Sequence, residues 1–340
     1  MKLAGAAARP AGTGRAEPVL VVGGGGFLGS RVVKRLLARG TAVRVFGRRE
    51  YPELAVLGAD CRRGDVLDPD AVRQAMEGCQ AVVHAAAQPG IGLARYSQYA
   101  VNVQGTKNAL DAAVALAVQK FIYVGSPSAV CAGGDIEGGD ENLPYPKKHL
   151  CAYAAAKALA ERAVLARNSP NFATVSLRPH LMFGPGDTQL FPKLFARARS
   201  GGLRRVGAGK NLVSVCYVDN AADAHVLALD RLEPNSAIAG KAYFINEPDP
   251  VNCWDFINRA LTATGLARVE KSLPFPIAYA IGRLFEAAYA FLGRHDDPPM
   301  TRFLACQLAR SHWFRVDRAR RDLGWAPAVP LEEAFRRTFS

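Results

Sequence analysis

A glycine-rich segment, GGGGFLG, constrains the fold of this 340-residue chain more than any other feature of its sequence. The segment follows a short apolar run of buried-strand character, Val19–Val22, and precedes SRVVKRLLARG, whose apolar residues share one helical face. Glycine lets the backbone approach a pyrophosphate closely, and the N-terminus of the following helix offers N–H donors. The strand–turn–helix pattern therefore predicts a dinucleotide-binding site. Its expected binding residues are Gly23, Gly26, Phe27, Leu28 and Gly29.

Strand and helix signals alternate through the first half of the chain. After the glycine segment come the strand AVRVF, the helix DPDAVRQAMEG, the strand AVVHAAA, the helix VNVQGTKNALDAAVALAV, the strand FIYVGS and a helix carrying YAAAKALAERAVLA. Strands separated by helices of this length predict a parallel sheet with right-handed crossovers. The predicted fold class is therefore α/β, a Rossmann-type doubly wound parallel sheet with a smaller C-terminal substrate region.

The chain divides into three predicted parts. Residues 1–18 are a flexible tail without the apolar run of a secretory signal, 19–179 form the dinucleotide-binding domain, and 180–340 form the substrate-binding region. We expect strands such as KAYFIN to return to the main sheet, so that the two larger parts interleave. Helices in the second half are predicted near Phe191–Ser200, Asn220–Asp230 and Trp254–Gly265.

Composition limits the partners. Hydrophobic residues make up 49% of the chain and charged residues 21%, which is typical of a folded globular protein. The net charge of +13 favours anionic partners such as dinucleotide phosphates, an acidic substrate or an anionic membrane surface. No motif for nucleic-acid binding accompanies it, so we expect no nucleic acid. The seven Cys form no C-x-x-C pair, which predicts reduced thiols in a cytoplasmic protein. The six His show no metal-ligand spacing with Cys or with each other, so we predict no metal.

The end of the second predicted strand bears on the choice of cofactor. Enzymes that use NAD commonly place Asp or Glu there to bond the ribose 2′-hydroxyl, whereas this strand ends in FGRR, residues 46–49. An arginine can clamp a 2′-phosphate that a carboxylate would repel. We therefore predict NADP, with Arg48 as its main phosphate ligand and Arg49 as the second. NAD, with both arginines as solvated surface, is the alternative.

Two further positions follow strands of the predicted sheet. Asp65 and Val66 lie in a loop where the carboxylate could meet the adenine amino group, and a turn or helix-cap role explains Asp65 equally well. His84 ends a strand and precedes three alanines, which leave room for the middle of the cofactor. We interpret His84 as a packed strand residue and not as a catalyst.

The predicted reaction centre is a tyrosine, a lysine and a serine. Tyr153 and Lys157 are four residues apart on one face of a predicted helix, so we expect the ammonium to lower the pKa of the phenol. Ser126 closes the strand FIYVGS and would hydrogen-bond the substrate oxygen, with Ser128 as the alternative. These residues predict that Tyr153 exchanges a proton with an alcohol or ketone while hydride passes to or from a nicotinamide. Tyr153 and Lys157 are also expected to contact the cofactor.

The chain resembles the extended short-chain dehydrogenases, and within them the 3β-hydroxysteroid dehydrogenase family, over nearly its whole length. The segments that carry the resemblance are GGGGFLG, NVQGTKN, YAAAK, LRPHLMFGPGD and GAGKNLVSVCYVDNAADAH. The resemblance implies an enzyme that interconverts a 3-hydroxyl and a 3-ketone on a bulky lipid acid, either a sterol 4-carboxylate or a long-chain 2-alkyl-3-oxo acid. It also implies that Pro179 borders the nicotinamide ring. Gly125 stands where relatives often carry Thr or Ser, and Pro127 follows Ser126.

Other functions stay open at this point. A nucleotide-sugar epimerase or dehydratase of the same superfamily would use the same Ser, Tyr and Lys but retain NAD without net redox change. A dinucleotide sensor is disfavoured because it has no use for a poised phenol. Candidate partners for a substrate carboxylate are Lys147, Lys148, His149 and His180.

The segment Pro274–Gly293 bears on location and partners. It is aromatic and apolar, but Arg283 and Glu286 in its middle argue against a membrane span. A helix lying on a membrane surface, a flap over an apolar pocket and an ordinary helix are each compatible with it. We therefore expect a cytoplasmic protein. Peripheral membrane contact through residues 274–293 and assembly into a homodimer are both compatible with the sequence.

Overall fold

The structure, a computed structural model, describes residues 17–91, 95–294 and 296–339. All but the last two residues of the predicted tail, 1–18, lie outside these ranges. The strands are β1 (Val19–Val22), β2 (Val43–Gly47), β3 (Asp60–Arg63), β4 (Ala81–His84), β5 (Lys120–Val124), β6 (Ile136–Gly139), β7 (Ala173–Pro179), β8 (Met182–Phe183), β9 (Arg205–Val206), β10 (Leu212–Val213), β11 (Cys216–Tyr217), β12 (Lys241–Ile245), β13 (Val251–Asn252), β14 (Ser272–Leu273) and β15 (His312–Phe314).

The helices connect and cover these strands. They are α1 (Phe27–Ala38), α2 (Pro52–Val56), α3 (Pro69–Met76), α4 (Arg95–Tyr99), α5 (Gly105–Ala115), α6 (Ala152–Ala166), α7 (Phe191–Arg199), α8 (Val218–Arg231), α9 (Cys253–Ala263), α10 (Phe275–Phe291), α11 (Arg302–Ala309), α12 (Asp317–Leu323) and α13 (Leu331–Phe339). A π-helical turn, Ala100–Gln104, leads into α5, and a 3-10 turn spans Pro127–Val130.

Seven parallel strands form the main sheet in the order β12-β7-β5-β4-β1-β2-β3. The predicted Rossmann-type sheet is confirmed. The strand order reverses beside β1, which pairs with β2 on one side and β4 on the other, and a crevice opens at the carboxyl ends of strands at such a reversal. The glycine turn after β1 lies at this crevice.

The core lies on both faces of the sheet. Successive residues of a strand point to opposite faces, so Val21 packs toward α1 and α8 while Leu20 and Val22 pack toward α3 and α5. Every residue of β1 and β4 is buried, because helices cover both faces of a parallel sheet. This double burial explains why these strands have continuous apolar sequences.

The second half of the chain adds a strand and a smaller sheet. β12 joins the edge of the main sheet beside β7, and its residues Tyr243 and Phe244 are buried. A second sheet has the order β13-β10-β15-β6. Its strands have two to four residues, too few for an alternating pattern to be visible in the sequence. Within the described ranges, no helix has both the length and the apolar character needed to cross a bilayer.

Candidate active site

The glycine-rich turn joins the carboxyl end of β1 to α1. Gly23 has a φ of +79°, and a β-carbon there would lie 2.6 Å from the backbone nitrogen of Ala86. The helix α1 begins after Gly26, and no side chain of the described residues caps it there. The first turn of α1 contains no acidic residue. The N–H groups of residues 27–29 therefore remain available to anionic oxygens. The turn fits the pyrophosphate of a dinucleotide.

The end of β2 is crowded and basic. Arg48 and Arg49 are exposed, and Arg63 donates from Nε to the Arg48 carbonyl at 3.2 Å. The ring of Tyr51 covers Gly47, where a β-carbon would lie 2.4 Å from the tyrosine Oη. An acidic side chain at position 47 would therefore require the Tyr51 hydroxyl to move. Sequence reasoning missed Tyr51 and Arg63, although Arg63 ends the neighbouring strand in register with Gly47.

The predicted adenine loop forms a turn. The Asp65 carboxylate accepts a hydrogen bond from the backbone of Leu67 at 3.0 Å, so the turn role is observed. Val66 is buried. His84 is also fully buried, stacked at 5.8 Å from the ring of Phe121, and burial lowers its pKa to about 3. It is therefore a neutral packed histidine, as predicted.

The two candidate serines lie together after β5. The Ser126 Oγ is 2.8 Å from the Ser128 Oγ and accepts a hydrogen bond from the Ser128 backbone at 3.3 Å. A β-carbon at Gly125 would lie 2.5 Å from the Ser176 Oγ and 2.8 Å from a carboxylate oxygen of Glu161. Position 125 thus has no space for a side chain, and the first hydroxyl after β5 belongs to Ser126.

Tyr153 lies in the first turn of α6, which Cys151 caps by accepting a hydrogen bond from Ala154 N at 3.5 Å. The Ser126 hydroxyl lies close enough to the phenol to lower its pKa. Burial raises the pKa of Tyr153 to about 12, although the Ser126 contact opposes this shift. The phenol is therefore protonated at neutral pH, the form that can donate a proton.

Lys157 follows one turn later and is 2% exposed. Its Nζ donates to the Val124 carbonyl and lies 4.2 Å from the centre of the Tyr123 ring. Burial lowers the pKa of Lys157 to about 7. The expectation that Lys157 lowers the pKa of Tyr153 is wrong for this structure, because the ammonium is directed to Val124 and Tyr123, and burial dominates the phenol.

A buried polar network behind these residues was missed by sequence reasoning. Glu161, one turn after Lys157, is fully buried and accepts from Arg178 Nη2 at 2.6 Å, Ser176 Oγ at 2.5 Å and Tyr145 Oη at 2.7 Å. Burial alone would raise the pKa of Glu161, but the guanidinium and the hydrogen bonds outweigh it and lower the pKa. The spacing YAAAK-x-x-x-E was the available signal, since it puts Glu161 on the face of Lys157.

The predicted carboxylate partners do not form a cationic cluster. His180 Nε2 lies 2.7 Å from His312 Nδ1. His312 Nε2 faces the Gln307 carbonyl at 2.9 Å and must donate to it, so neutral His180 supplies the proton between the rings. Burial lowers the pKa of His180 well below its usual value. His149 bonds a backbone carbonyl, and the lysines at 147 and 148 are exposed.

These side chains meet at one edge of the main sheet. Gly23 follows β1, Ser126 follows β5 and Pro179 ends β7. Because parallel strands place their carboxyl ends at the same edge, the dinucleotide turn and the serine–tyrosine pair lie around one crevice. A partly exposed phenol beside a serine hydroxyl and a cofactor site can move a proton to or from a substrate oxygen.

The family match and the relatives of known name place the protein among the short-chain dehydrogenases and reductases, enzymes that use NAD or NADP to act on CH–OH groups. The chain belongs to the 3-beta hydroxysteroid dehydrogenase/isomerase family, whose family model matches residues 20–277. The resemblance in the sequence is thereby confirmed.

Relatives of known name extend over nearly the whole chain. A 2-alkyl-3-oxoalkanoate reductase of Stenotrophomonas maltophilia is 45% identical over 321 residues, covering 94% of this chain and 97% of the relative. The decarboxylating sterol-4-alpha-carboxylate 3-dehydrogenase of Homo sapiens is 35% identical over 333 residues, covering 95% and 88%. In fold, the chain is similar to a UDP-glucose 4-epimerase of Thermus thermophilus solved with NAD, with a TM-score of 0.70, 24% identity and coverage of 95% and 97%.

Proposed function

We propose that the protein is an NADP(H)-dependent reductase of long-chain 2-alkyl-3-oxo acids, with dehydrogenation of a sterol 4-carboxylate at its 3-hydroxyl as the second candidate. The observation that carries the proposal is the 45% identity to a 2-alkyl-3-oxoalkanoate reductase over 94% of the chain, against 35% for the sterol enzyme. The absence of a side chain at Gly47 and the arginine at position 48 support NADP.

The chain offers a binding group for each part of the cofactor. The turn at Gly23 and Gly26 and the first residues of α1 would hold the pyrophosphate, and Arg48 with Arg49 would hold the 2′-phosphate. Asp65 and Val66 would border the adenine. Tyr153, Lys157 and Pro179 would border the nicotinamide and its ribose.

The proton chemistry follows from the side chains at the crevice. A nicotinamide held at this crevice would supply or accept the hydride at carbon 3 of the substrate. During reduction Tyr153 donates its phenolic proton to the ketone oxygen, and Ser126 donates a hydrogen bond to the same oxygen as negative charge develops there. The Lys157 ammonium, directed to the Val124 carbonyl, would border the nicotinamide ribose and hold it beside the phenol. In the oxidative direction each step reverses, and the β-keto acid product can lose carbon dioxide without another catalytic group.

A spectrophotometric assay tests the proposal. Purified protein should oxidise NADPH in the presence of a 2-alkyl-3-oxo acid, with loss of absorbance at the reduced nicotinamide band. Reduction of NAD(P)⁺ by a 4-carboxysterol, with no reaction of the oxo acid, would select the second candidate. Conversion of a UDP-sugar without net absorbance change would replace both by an epimerase.

A further inference from the structure

The ring of Tyr51 fills a gap between the glycine-rich turn and the end of β2. A β-carbon at Gly25, in the turn, would lie 1.8 Å from Tyr51 Cε1, and one at Gly47, the last residue of β2, would lie 2.4 Å from Tyr51 Oη. Tyr51 immediately precedes α2, and its side chain is 9% exposed. The ring therefore needs the absence of a side chain at Gly25, and a side chain at Gly47 would displace its hydroxyl.

This gap lies where the adenosine end of a dinucleotide binds in a Rossmann-type fold. The pyrophosphate meets the glycine-rich turn, and an acidic residue about 20 positions later in NAD enzymes bonds the ribose 2′-hydroxyl. Gly47 stands at that distance from the turn and ends β2. The Tyr51 hydroxyl thus occupies the place from which the side chain of such an acid would start.

The Tyr51 hydroxyl has no partner of its own. None of the described residues forms a hydrogen bond with Tyr51 Oη, and this oxygen reaches the surface although the rest of the side chain is buried. The ring is fixed between two stretches of backbone, so the position of the oxygen is fixed as well. A polar atom that packing holds in place is prepared to bind a ligand.

The neighbouring strand brings a guanidinium to the same place. Arg63, the last residue of β3, pairs in register with Gly47, and its Nε donates to the Arg48 carbonyl at 3.2 Å. The side chain is exposed, and no hydrogen bond to a described residue engages its Nη1 and Nη2 groups. Because Nε is held across the end of β2, the outer N–H groups of Arg63 can bind an anion there in the fork geometry that suits phosphate.

The charged side chains of β2, β3 and the loops that follow them differ in whether they are already paired. Asp60 binds both Arg44, at 2.7 Å, and Arg62, at 2.8 Å. Three arginines form no ion pair with any described residue: Arg48, Arg49 and Arg63. The carboxylates of the same segments make no ion pair with these arginines in the described part of the chain; they are Glu50, Glu53 and Asp65. The three guanidiniums therefore keep their donors for a ligand.

We propose that Tyr51 and Arg63 are ligands of the NADP 2′-phosphate and determine the choice between the two dinucleotides. Tyr51 Oη and the outer N–H groups of Arg63 would donate hydrogen bonds to the phosphate oxygens. A hydroxyl donates without the negative charge with which a carboxylate repels a phosphate. The inference rests on the NADP preference in the proposed function and does not depend on which lipid acid is the substrate.

Isothermal titration calorimetry of the full chain with two nucleotides tests both residues without any lipid substrate. Adenosine 2′,5′-bisphosphate and 5′-AMP differ only in the 2′-phosphate. Tyr51→Phe keeps the ring beside Gly25 and removes one hydroxyl. It should weaken binding of the bisphosphate about tenfold and leave 5′-AMP unchanged, because one hydrogen bond to a charged group is lost. Arg63→Gln should weaken the bisphosphate by about tenfold or more, again without effect on 5′-AMP.

Matched controls remove the same chemical groups elsewhere. Tyr289→Phe deletes a tyrosine hydroxyl of α10, and Arg73→Gln deletes an exposed guanidinium of α3. Both controls should bind the two nucleotides like the wild type. The thermal unfolding midpoint of every variant is measured as well, and it should match that of the wild type.

An equal loss for both nucleotides, or no loss at all, in either Tyr51→Phe or Arg63→Gln overturns the proposal. NADPH oxidation with a 2-alkyl-3-oxo acid separates this result from the proposed function. If both variants lose bisphosphate binding but the wild type lacks that activity, the proposed substrate is contradicted and the 2′-phosphate site is supported. A wild type that binds the two nucleotides equally and reduces the oxo acid with NADH would overturn the inference and leave the reductase activity in place.

Discussion

Burial sets the protonation of the two central side chains in opposite ways. It raises the pKa of Tyr153 to about 12 and lowers the pKa of Lys157 to about 7, because each neutral form is favoured away from water. The phenol therefore holds its proton across the physiological range, while the lysine loses its charge near neutrality. On the acidic side of pH 7 the phenol therefore carries the proton that reduction consumes, while Lys157 still carries its charge.

The pH dependence of reduction follows from these shifts. Lys157 is protonated below its pKa, so the kcat/KM for ketone reduction should fall as the pH rises through about 7, since the charge that would hold the nicotinamide ribose is lost. Steady-state rates between pH 5 and 9 would measure this.

Tyr153→Phe should reduce turnover by about 10²-fold or more at every pH while NADPH binding stays close to intact. A flat wild-type profile, or an unaltered rate in Tyr153→Phe, would contradict the assigned roles.

Cofactor preference depends on the arginines at the end of β2. Arg48→Ala should weaken NADPH binding about tenfold or more and leave NADH nearly unchanged, because only NADPH carries the 2′-phosphate. Titration of intrinsic fluorescence with each dinucleotide would give both dissociation constants. Arg73→Ala, an exposed arginine of α3, controls for the general loss of positive charge and should change neither. Equal losses for NADPH and NADH in Arg48→Ala would refute the assignment.

At the scale of elements, a buried ion pair joins the helix of the catalytic side chains to the sheet. Glu161 of α6 and Arg178 of β7 are both almost completely inaccessible and meet at 2.6 Å. Arg178 also lies 5.1 Å from the centre of the Phe244 ring in β12, so three elements share one charge pair. The pair therefore ties α6, which carries Tyr153, to the sheet.

Removal of one member of the pair should be costly. Glu161→Gln leaves Arg178 buried without its counter-charge and should lower the free energy of unfolding by about 3–5 kcal/mol. Urea denaturation followed by tryptophan fluorescence would measure the change. The exposed pair Arg259–Glu332, also at 2.6 Å, provides the comparison, and Glu332→Gln should cost less than about 1 kcal/mol. If Glu161→Gln lowered the free energy of unfolding no more than Glu332→Gln does, the buried pair would not be what holds α6 against the sheet.

The long elements were visible in the sequence and the short ones were not. Three local signals agreed on one strand–turn–helix unit, which made its prediction secure. They are the apolar run of β1, the glycine turn and the amphipathic pattern of α1. The strands β10 and β13 have two residues each and owe their pairing to distant partners. A strand of two residues that is defined by a distant partner leaves no pattern in the local sequence.

At the scale of the whole molecule, the sequence predicted the sheet and the family, and the structure adds the contacts that depend on three-dimensional neighbours. The spacing of Tyr153 and Lys157 was readable in the chain, but the direction of the ammonium toward Val124 was not, because it depends on how α6 crosses β5. The contact of Tyr51 with Gly47 could not be predicted for the same reason. The two residues are four apart in sequence, and that spacing does not determine how the loop after β2 folds back.

The edge strand β12 has a consequence for any attempt to recombine this enzyme with its relatives. A fragment that ends at Pro179 would keep the glycine turn, Ser126 and Tyr153 but would leave β7 exposed along its whole length, since the strand that covers it comes from residues 241–245. Exposed, unpaired strands of this kind promote aggregation. A chimaera that exchanges only the substrate side must therefore retain its host's own version of this strand, or exchange the facing strand with it.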